Sequence, residues 1–282
     1  MMDELRGRVA VVTGGGSGIG RGIAQGFGAE GMTVAVVDVQ ESNAGAVAAE
    51  IESAGGRAFA VAADVTSVDS LDVAARRIVA QAGGVNVLCA NAGVLARVGP
   101  LAEHTIADWE YTLSVNVLGI VKTVNAFLPL LRQRAPQAHI VTTASLGGLV
   151  SDVRAPLGAY IASKYACVGY SEMLRAELAG DGIGVSVLCP GVVASNLMGT
   201  SADNRPNAFG AQPAPQLPAV GGGGGGVPPA LLNAMPAEDV GPIVIRAIRA
   251  NRFHVLTHPQ ARRLVEARFQ NMLADFDFAA GS

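Results

Sequence analysis

Apolar positions along the chain follow two alternating patterns. Short runs almost continuous in Val, Ile, Leu and Ala predict strands covered on both faces, as in a parallel sheet, because a half-solvated strand would alternate apolar and polar residues. The predicted strands are Arg8–Thr13, Thr33–Asp38, Ala58–Ala62, Val87–Ala90, His139–Thr143, Gly184–Cys189 and Phe253–Leu256. The predicted helices between them are Gly18–Glu30, Ser42–Ala54, Val68–Ala82, Asp108–Arg134, Ala159–Ala179 and Glu238–Ala250. This alternation predicts one doubly wound α/β domain over residues 1–282, with about seven parallel strands and helices on both faces.

One segment interrupts this alternation. From Asn196 to Pro236 the chain is rich in Pro, Gly, Asn and Ala, and Gly221 to Gly226 are six consecutive glycines. Local propensity cannot hold such a segment in one conformation. It is either a flexible surface insertion or a mobile lid over a ligand crevice, since long loops in compact domains often carry binding roles. We expect a substrate lid for the flanks and a plain spacer for the glycine run.

Composition and charge exclude several classes of protein. Half of the residues are hydrophobic, 15% are charged, and the formal net charge is -3. This balance provides no basic patch, so we expect no nucleic-acid partner. No apolar run approaches the ~18 residues of a membrane span, so we expect no membrane insertion. The acidic start, Met1–Arg6, leads directly into a strand without a signal-peptide pattern, which predicts a cytoplasmic protein.

Cysteines and histidines do not form a metal-binding pattern. Cys89, Cys167 and Cys189 are far apart in apolar stretches, which predicts free buried thiols in a reducing compartment. The four histidines are His104, His139, His254 and His258. None of them has the spacing of a metal-ligand pair on a helix, so we expect no metal site, although distant residues could still converge.

A glycine-rich turn, Thr13-Gly14-Gly15-Gly16-Ser17-Gly18-Ile19-Gly20, follows the first strand and opens the first helix. Its glycines allow a tight turn and a close approach of the backbone to a pyrophosphate, to which the helix N-terminus offers N–H donors and a favourable dipole. Such a turn can also be a plain connection. In the functional interpretation, the cofactor-binding positions are Gly14, Ser17, Gly18, Ile19 and Gly20.

Acidic residues after the next two strands extend this interpretation. Asp38 ends the second strand, 18 residues beyond the turn, where a carboxylate can accept both ribose hydroxyls of an adenosine. It would repel the 2′-phosphate of NADP, and Ser17 and Val39 are uncharged, so we expect NAD as the cofactor. Asp38 could instead cap the next turn. Asp64 and Val65 could hold the adenine amino group or form the N-terminal cap of the following helix.

A tyrosine and a lysine share one face of a predicted helix. Tyr160 and Lys164 are four residues apart, so the ammonium can stabilise the phenolate and make the tyrosine a usable proton donor and acceptor. Alone, the pair could belong to an ordinary amphipathic helix. Ser145 ends the fifth strand, at the edge where ligands bind in open α/β sheets. Asn116 lies mid-helix, where Asn is a poor helix former, which indicates either a local feature such as a water-filled kink or a tolerated accident.

Together these motifs resemble the short-chain dehydrogenase/reductase family, in its Tyr-x-x-x-Lys branch, from Arg8 to about Ser195. The turn Thr13–Gly20 looks like the family's T-G-x-x-x-G-x-G. The resemblance implies a Rossmann-type fold and a catalytic tetrad. The tetrad residues are Asn116, Ser145, Tyr160 and Lys164.

Two further segments carry the resemblance. Asn91-Ala92-Gly93 looks like the family's N-A-G element, which steadies the sheet and lines the cofactor. Pro190-Gly191, followed by Val193 and Ser195, looks like the segment that binds the nicotinamide carboxamide. Cys89-Ala90 departs from the family, which often has an additional Asn there. The family commonly forms homotetramers through two long helices, so the resemblance implies a homotetramer or homodimer.

The resulting expectation is an NAD(H)-dependent oxidoreductase that interconverts a small-molecule secondary alcohol and a ketone. By resemblance, Tyr160 is the general acid/base and Lys164 binds the nicotinamide ribose; Ser145 orients the substrate oxygen and Asn116 holds a relay water. A non-redox enzyme that retains its nicotinamide, such as a dehydratase or epimerase, and an NAD-binding regulator remain alternatives.

The substrate side of the crevice is expected to be apolar. Its predicted wall is formed by Leu95, Leu146, Val150, Val153, Leu157 and parts of Asn196–Pro236. Arg154 is the possible exception. Ser145 and Tyr160 are 15 residues apart, slightly more than is usual in the family, so the loop Ser151–Leu157 should bulge near the substrate. This wall favours a hydrophobic or aromatic substrate.

Overall fold

A single parallel sheet of seven strands forms the centre of the part of the chain that the structure describes. The computed structural model describes residues 2–151, 156–212 and 234–280. The strands are β1 (Val9–Thr13), β2 (Thr33–Asp38), β3 (Arg57–Ala62), β4 (Val87–Ala90), β5 (His139–Thr143), β6 (Gly184–Cys189) and β7 (His254–Leu256). Their order in the sheet is β3-β2-β1-β4-β5-β6-β7, and every neighbouring pair is parallel. Each strand matches its prediction to within one residue at either end, because most strand positions are buried.

Helices connect consecutive strands. The helices are α1 (Gly18–Ala29), α2 (Glu41–Ser53), α3 (Val68–Ala82), α4 (Ile106–Leu113), α5 (Gly119–Arg132), α6 (Gly158–Leu178), α7 (Leu197–Asp203), α8 (Val240–Arg249) and α9 (Arg262–Ala279). A π-helical turn, Ser114–Leu118, joins α4 to α5, so the two run as one helix. The long helix predicted over Asp108–Arg134 therefore exists, with a wider turn at its middle.

Each face of the sheet packs against its own group of helices. On one face, Leu88 and Ile140 of the sheet share a core with Phe127 of α5. On the other face, Val36 of β2 shares a core with Phe27 of α1, together with residues of α2 and α8. Burial of both faces explains why the strands read as continuous apolar runs. The predicted Rossmann-type doubly wound fold is confirmed.

The reversal of strand order places a crevice at one edge of the sheet. The sheet grows from β1 toward β2 in one direction and toward β4 in the other. Loops leaving the carboxyl ends of β1 and β4 therefore run to opposite faces and leave a space between them, where open α/β sheets bind ligands. The candidate residues at these strand ends meet in that space.

Two helices were not predicted. α7 lies inside the Pro- and Gly-rich segment, and its Ser201 is 1% exposed, so this part of the segment is packed against the body. The glycine run Gly221–Gly226 lies outside the described residues. α9 follows β7, and its side chains lie mostly in solvent.

Among the residues that the structure describes, one helix is apolar and long enough to cross a membrane, although no such segment was predicted from the sequence. It is the continuous helix Ile106–Arg132, of 27 residues. Ile120, Val124, Phe127 and Leu131 of this helix are buried in the core against the sheet. Core helices pass the same criterion of length and composition, so that criterion alone does not indicate a membrane span here.

Candidate active site

A cavity of about 340 Å³ lies at the carboxyl ends of the strands, beside the reversal between β1 and β4. Most of the predicted site residues line it. They are Gly14, Ser17, Gly18, Ile19, Gly20, Asp38, Asp64, Val65, Asn91, Ala92, Gly93, Tyr160, Lys164, Pro190 and Ser195. The cavity thus joins the glycine-rich turn to the tyrosine–lysine helix, which are far apart in sequence.

The glycine-rich turn leaves no room for side chains. Gly14 has a φ of +62°, and a Cβ added to Gly20 would lie 2.0 Å from the Gly14 carbonyl oxygen. Ser17 precedes α1 without a side-chain cap, and the first turn of that helix carries no acidic residue. Helix N–H groups without such partners are suited to binding an anion. The turn therefore fits the pyrophosphate of a dinucleotide.

Asp38 sits on the cavity wall and also orders the backbone around it. Its Oδ2 accepts a hydrogen bond from Gly16 N at 3.0 Å, and its Oδ1 accepts one from Gln40 N at 3.0 Å. A carboxylate oxygen has two acceptor sites, so one on each oxygen remains for ribose hydroxyls. The capping and ribose-binding interpretations of Asp38 are therefore compatible.

Asp64 does not cap helix α3. Its Oδ1 accepts hydrogen bonds from the backbone N and the Oγ1 of Thr66, both at 2.8 Å. The cap is Ser67, whose side chain accepts from Ser70 N at 3.2 Å. The alternative role of Asp64-Val65 as the helix cap is wrong, and both residues face the cavity.

Asn91 follows β4, lines the cavity and forms hydrogen bonds to the ends of β1 and β5. Its Nδ2 donates to the Thr13 carbonyl at 3.0 Å, and its backbone N donates to Thr13 Oγ1 at 3.0 Å. Its Oδ1 accepts from Thr143 Oγ1 at 3.1 Å. The ends of β1, β4 and β5 are thus held in register by one side chain.

Tyr160 and Lys164 lie on the same face of α6, and both line the cavity. Lys164 is 3% exposed, and its Nζ donates to the Thr143 carbonyl at 3.0 Å. The same Nζ is 5.4 Å from the centroid of the Tyr160 ring. An ammonium has three N–H donors, so donors remain for a ligand after the bond to Thr143. This placement lets one buried cation act on both a bound ligand and the phenol.

Asn116 lies in the π-helical turn and is fully buried. Its Oδ1 accepts from Val94 N at 2.7 Å, and its Nδ2 donates to the Val94 carbonyl and to Ser163 Oγ, both at 3.0 Å. A Cβ added to Gly93 would lie 3.3 Å from Asn116 Oδ1 and 3.4 Å from Lys164 Nζ. The Asn116 side chain therefore holds the backbone at Val94 in place, close to Lys164. Its role in holding a relay water stays a prediction.

Four predicted residues do not line the cavity. Ser145 Oγ accepts from Gly147 N at 3.1 Å and donates to the Pro190 carbonyl at 3.5 Å. Gly191 N donates to Thr257 Oγ1 and His258 Nδ1 at 3.3 and 3.2 Å, so this N–H already has partners. The other two are Val193, which belongs to the core, and Asn116.

Sequence reasoning missed part of the cavity wall. The residues that were not predicted are Val39, Asn43, Ala63, Thr66, Val94, Tyr111, Ser114, Val115, Lys122, Thr143 and Ala144. Leu197, Thr200, Asn204, Pro206 and Phe209 also line the cavity. These five lie within Asn196–Pro236, parts of which were predicted from the sequence to form the substrate side of the crevice.

The three cysteines are free and buried, as predicted. Burial raises the pKa of the Cys189 thiol to about 12, so it stays protonated at neutral pH. Among the residues that the structure describes, no group of three or more His, Cys, Asp or Glu side chains could hold a metal ion.

Known proteins resemble this chain over most of its length. A 1-deoxy-11-beta-hydroxypentalenate dehydrogenase of Streptomyces exfoliatus is 35% identical over 270 residues, which cover 95% of this chain and 90% of that protein. A CLA biosynthesis dehydrogenase/reductase of Lactiplantibacillus plantarum is 31% identical over 278 residues, which cover 97% and 96% of the two chains. A crystal structure of a short chain dehydrogenase/reductase from Burkholderia phymatum, in complex with NAD, is 32% identical, covers 96% of both chains and has a TM-score of 0.85.

The family description that matches this chain is short chain dehydrogenase, over residues 8–206. This range contains the glycine-rich turn, the strand-end residues, the tyrosine–lysine pair and most of the described cavity wall. The chain belongs to the short-chain dehydrogenase/reductase family, oxidoreductases that act on hydroxyl and keto groups.

Proposed function

We propose that this protein is an NAD(H)-dependent oxidoreductase that interconverts a secondary alcohol and a ketone, with Tyr160 as the general acid/base. The observation that carries the proposal is the placement of Tyr160 and buried Lys164 on the wall of the cavity that begins at the glycine-rich turn. The dehydrogenase names of the relatives and the NAD in the Burkholderia phymatum structure support it.

The residues of the cavity fit a nicotinamide dinucleotide along its length. The turn Gly14–Gly20 would hold the pyrophosphate, Asp38 the adenosine ribose, and Asp64 and Val65 the adenine. The nicotinamide half would lie between Asn91–Gly93 on one side and the segment that includes Pro190 and Ser195 on the other. When bound, this cofactor accepts a hydride from the alcohol or supplies one to the ketone. The charge of Asp38 favours NAD over NADP.

The protein's own groups position the substrate and move its proton. In oxidation, the Tyr160 oxygen takes the proton of the substrate hydroxyl; in reduction, it returns a proton to the carbonyl oxygen. The Lys164 ammonium stabilises the phenolate and binds the nicotinamide ribose through its remaining donors. Ser145 Oγ would turn from Pro190 to the substrate oxygen and stabilise the charge that develops there. Asn116 holds the backbone of Val94 beside Lys164 through its hydrogen bonds to the Val94 N–H and carbonyl.

The proposed substrate is a hydrophobic or aromatic secondary alcohol or ketone. Of the wall that the sequence predicts, Leu95 is buried and Leu146, Val150 and Leu157 are half-buried. These four residues do not line the cavity described above, so their place beside the substrate stays a prediction. Val153 and Arg154, which the sequence analysis placed in the same wall, lie outside the described residues. An apolar wall binds alkyl or aryl groups by removing them from water.

The variant Tyr160→Phe tests the proposal, because it removes the proton-transferring oxygen and keeps the ring. Turnover with NAD⁺ and a reactive secondary alcohol, found by screening alcohols and ketones at the NADH absorbance band, should fall by about 10²- to 10⁴-fold. NADH binding, measured by fluorescence titration, should be unchanged. Tyr170→Phe is the matched control, because it alters a tyrosine of the same helix that lies outside the cavity.

Three outcomes would contradict the proposal. Near-normal turnover in Tyr160→Phe would remove the acid/base role of Tyr160. A clear preference for NADP⁺ in the wild-type protein would overturn the role of Asp38. Steady NADH absorbance across the whole substrate panel, with NADH bound, would favour a nucleotide-binding regulator over an enzyme.

A further inference from the structure

A buried ion pair lies beside the cavity without lining it. Asp108 Oδ1 and Arg205 Nη2 are 2.9 Å apart, and the two side chains are 2% and 3% exposed. Removing two charges from water costs free energy that their attraction offsets only when further hydrogen bonds complete the site. Thr105 provides such bonds to the carboxylate: its backbone N and its Oγ1 both donate to Asp108 Oδ2, at 3.0 and 2.9 Å.

Two of the three nitrogens of the Arg205 guanidinium donate further hydrogen bonds, while Nη1 is buried without a partner among the described residues. Its Nε donates to the Gly210 carbonyl at 2.9 Å and its Nη2 donates to the Phe209 carbonyl at 2.7 Å. Its central carbon lies 5.3 Å from the centroid of the Tyr111 ring. Burial raises the pKa of the Asp108 carboxyl, but the hydrogen bonds from Thr105 and the charge of Arg205 outweigh it, so this pKa lies below its usual value. The carboxylate is therefore charged at neutral pH, and the pair is intact there.

The ion pair attaches residues 197–209, which we call the wall segment, to helix α4. Other contacts attach the same segment nearby. Tyr111 Oη donates to the Ser201 carbonyl at 3.1 Å, and the rings of Tyr111 and Phe209 have centroids 5.6 Å apart. Ser201 Oγ accepts from Leu95 N at 2.8 Å. The wall segment is thus held against α4 and against the chain that follows β4.

The wall segment forms one side of the cavity. Its lining residues are Leu197, Thr200, Asn204, Pro206 and Phe209. At the ribose end, Asn204 Oδ1 accepts from Gln40 Nε2 at 2.8 Å, two residues beyond Asp38. That bond is exposed, so water competes with it and its net contribution is small. Removing one partner of the buried ion pair leaves the other charge uncompensated, so breaking this attachment costs more than losing the exposed bond.

We propose that Asp108 and Arg205 are positioning residues that hold the wall segment against the bound dinucleotide. Neither side chain lines the cavity, so the pair acts through Thr200, Asn204 and Phe209. The assignment rests on the proposed NAD(H)-dependent function. Loosening the wall leaves Tyr160 and Lys164 in place on α6, so it weakens cofactor binding more than it slows the chemical step.

The variants Arg205→Met and Asp108→Asn test the assignment, because each removes one charge and keeps most of the side-chain volume. The NADH Kd and the KM for NAD⁺ should rise by about 10-fold or more, while kcat at saturating NAD⁺ changes by less than about 3-fold. Amide hydrogen exchange in residues 197–209 should become faster. The double variant should bind NADH no more weakly than Arg205→Met, because that single variant already loses the ion pair that Asp108→Asn breaks.

Arg132→Met is the matched control. It breaks an ion pair with Asp181, at 2.7 Å, that is exposed and whose residues do not line the cavity. The NADH Kd and the KM for NAD⁺ of this variant should equal those of the wild-type protein. Thermal unfolding of every variant separates weaker binding from loss of the folded state.

A second variant decides the question if Arg205→Met does not fold. Arg205→Lys keeps a charge beside Asp108 but lacks the planar fork that also reaches Phe209 and Gly210. A rise of about 3-fold or more in the KM for NAD⁺ of Asp108→Asn supports the assignment, whether or not Arg205→Lys keeps the wild-type value, and a wild-type KM in both variants overturns it. A folded Arg205→Met with wild-type NADH binding and exchange also overturns it. A wild-type protein that binds no NADH would overturn the proposed function and this assignment together.

Discussion

At the scale of single residues, Asp38 joins two parts of the cavity rim. Its two oxygens accept from Gly16 N in the glycine-rich turn and from Gln40 N at the start of the next helix. The carboxylate thereby fixes the backbone on which the adenosine would rest and also presents its charge to the cavity. A change at Asp38 should therefore alter cofactor choice more than it alters the chemical step.

The variant Asp38→Asn should shift the preference from NAD⁺ toward NADP⁺. It removes the charge that repels a 2′-phosphate and weakens the bonds to the ribose hydroxyls, so the ratio of kcat/KM for the two cofactors should fall by about 10-fold or more. Its amide keeps one acceptor oxygen, so unfolding free energy should drop by only about 1 kcal/mol. Steady-state kinetics with both cofactors measures the ratio.

The control for this change is Asp181→Asn, which removes an equal charge from a surface pair with Arg132. Its cofactor ratio should stay at the wild-type value. An unchanged ratio in Asp38→Asn would show that the carboxylate serves only to order the turn.

The sequence predicted residues such as Asp38 and Tyr160 because their positions follow from local structure. A strand end or a helix face fixes them once the element is known. Val193 shows the limit: its place in the core depends on a bridge to Met235, far along the chain. The partners of Asn116 likewise depend on how α6 packs against the helix that contains it. The pattern of neighbouring residues does not predict contacts between residues that are this far apart in the sequence.

At the scale of elements, the sequence predicted the β1–α1 turn but did not predict the helix α7 in the wall segment. Glycines mark the turn because only residues without a Cβ allow its backbone to close. α7 was not predicted, because its segment is rich in residues that disfavour helices; tertiary contacts of Ser201 and Arg205 hold it in place. α9 was not predicted either. The spacing of Val265, Phe269, Met272 and Phe276 along one face of a helix could have indicated it.

The variant Gly20→Ala tests the turn. The added Cβ would lie 2.0 Å from the Gly14 carbonyl oxygen, so the turn must shift away from its pyrophosphate-binding form. The NADH Kd should rise by about 10-fold or more, with a lower Tm.

Gly45→Ala is the matched control, because an added Cβ there meets nothing within 4 Å on helix α2. It should raise the unfolding free energy by about 0.5–1 kcal/mol and leave binding unchanged. Wild-type binding by Gly20→Ala would contradict a role for the turn in holding the cofactor.

At the scale of the whole molecule, several large apolar side chains lie in solvent. Met173 of α6 is 61% exposed and Leu118, in the π-helical turn, is 50% exposed. Phe276 and Phe278 of α9 are 71% and 85% exposed. Exposed apolar side chains that cluster on a surface commonly mark a protein–protein contact. Both Leu118 and Met173 belong to the helices through which the family resemblance implies a homotetramer or homodimer.

Light scattering after gel filtration should therefore give the mass of two or four chains. Met173→Lys should lower that mass, because an ammonium buried without a partner in an interface costs several kcal/mol. Val73→Lys is the matched control: Val73 is 56% exposed on α3, a helix outside the expected interface, so its mass should match the wild-type protein. A wild-type monomer would contradict the expected assembly. An unchanged mass for Met173→Lys would place the interface elsewhere, and the exposed phenylalanines of α9 would then be the next surface to alter.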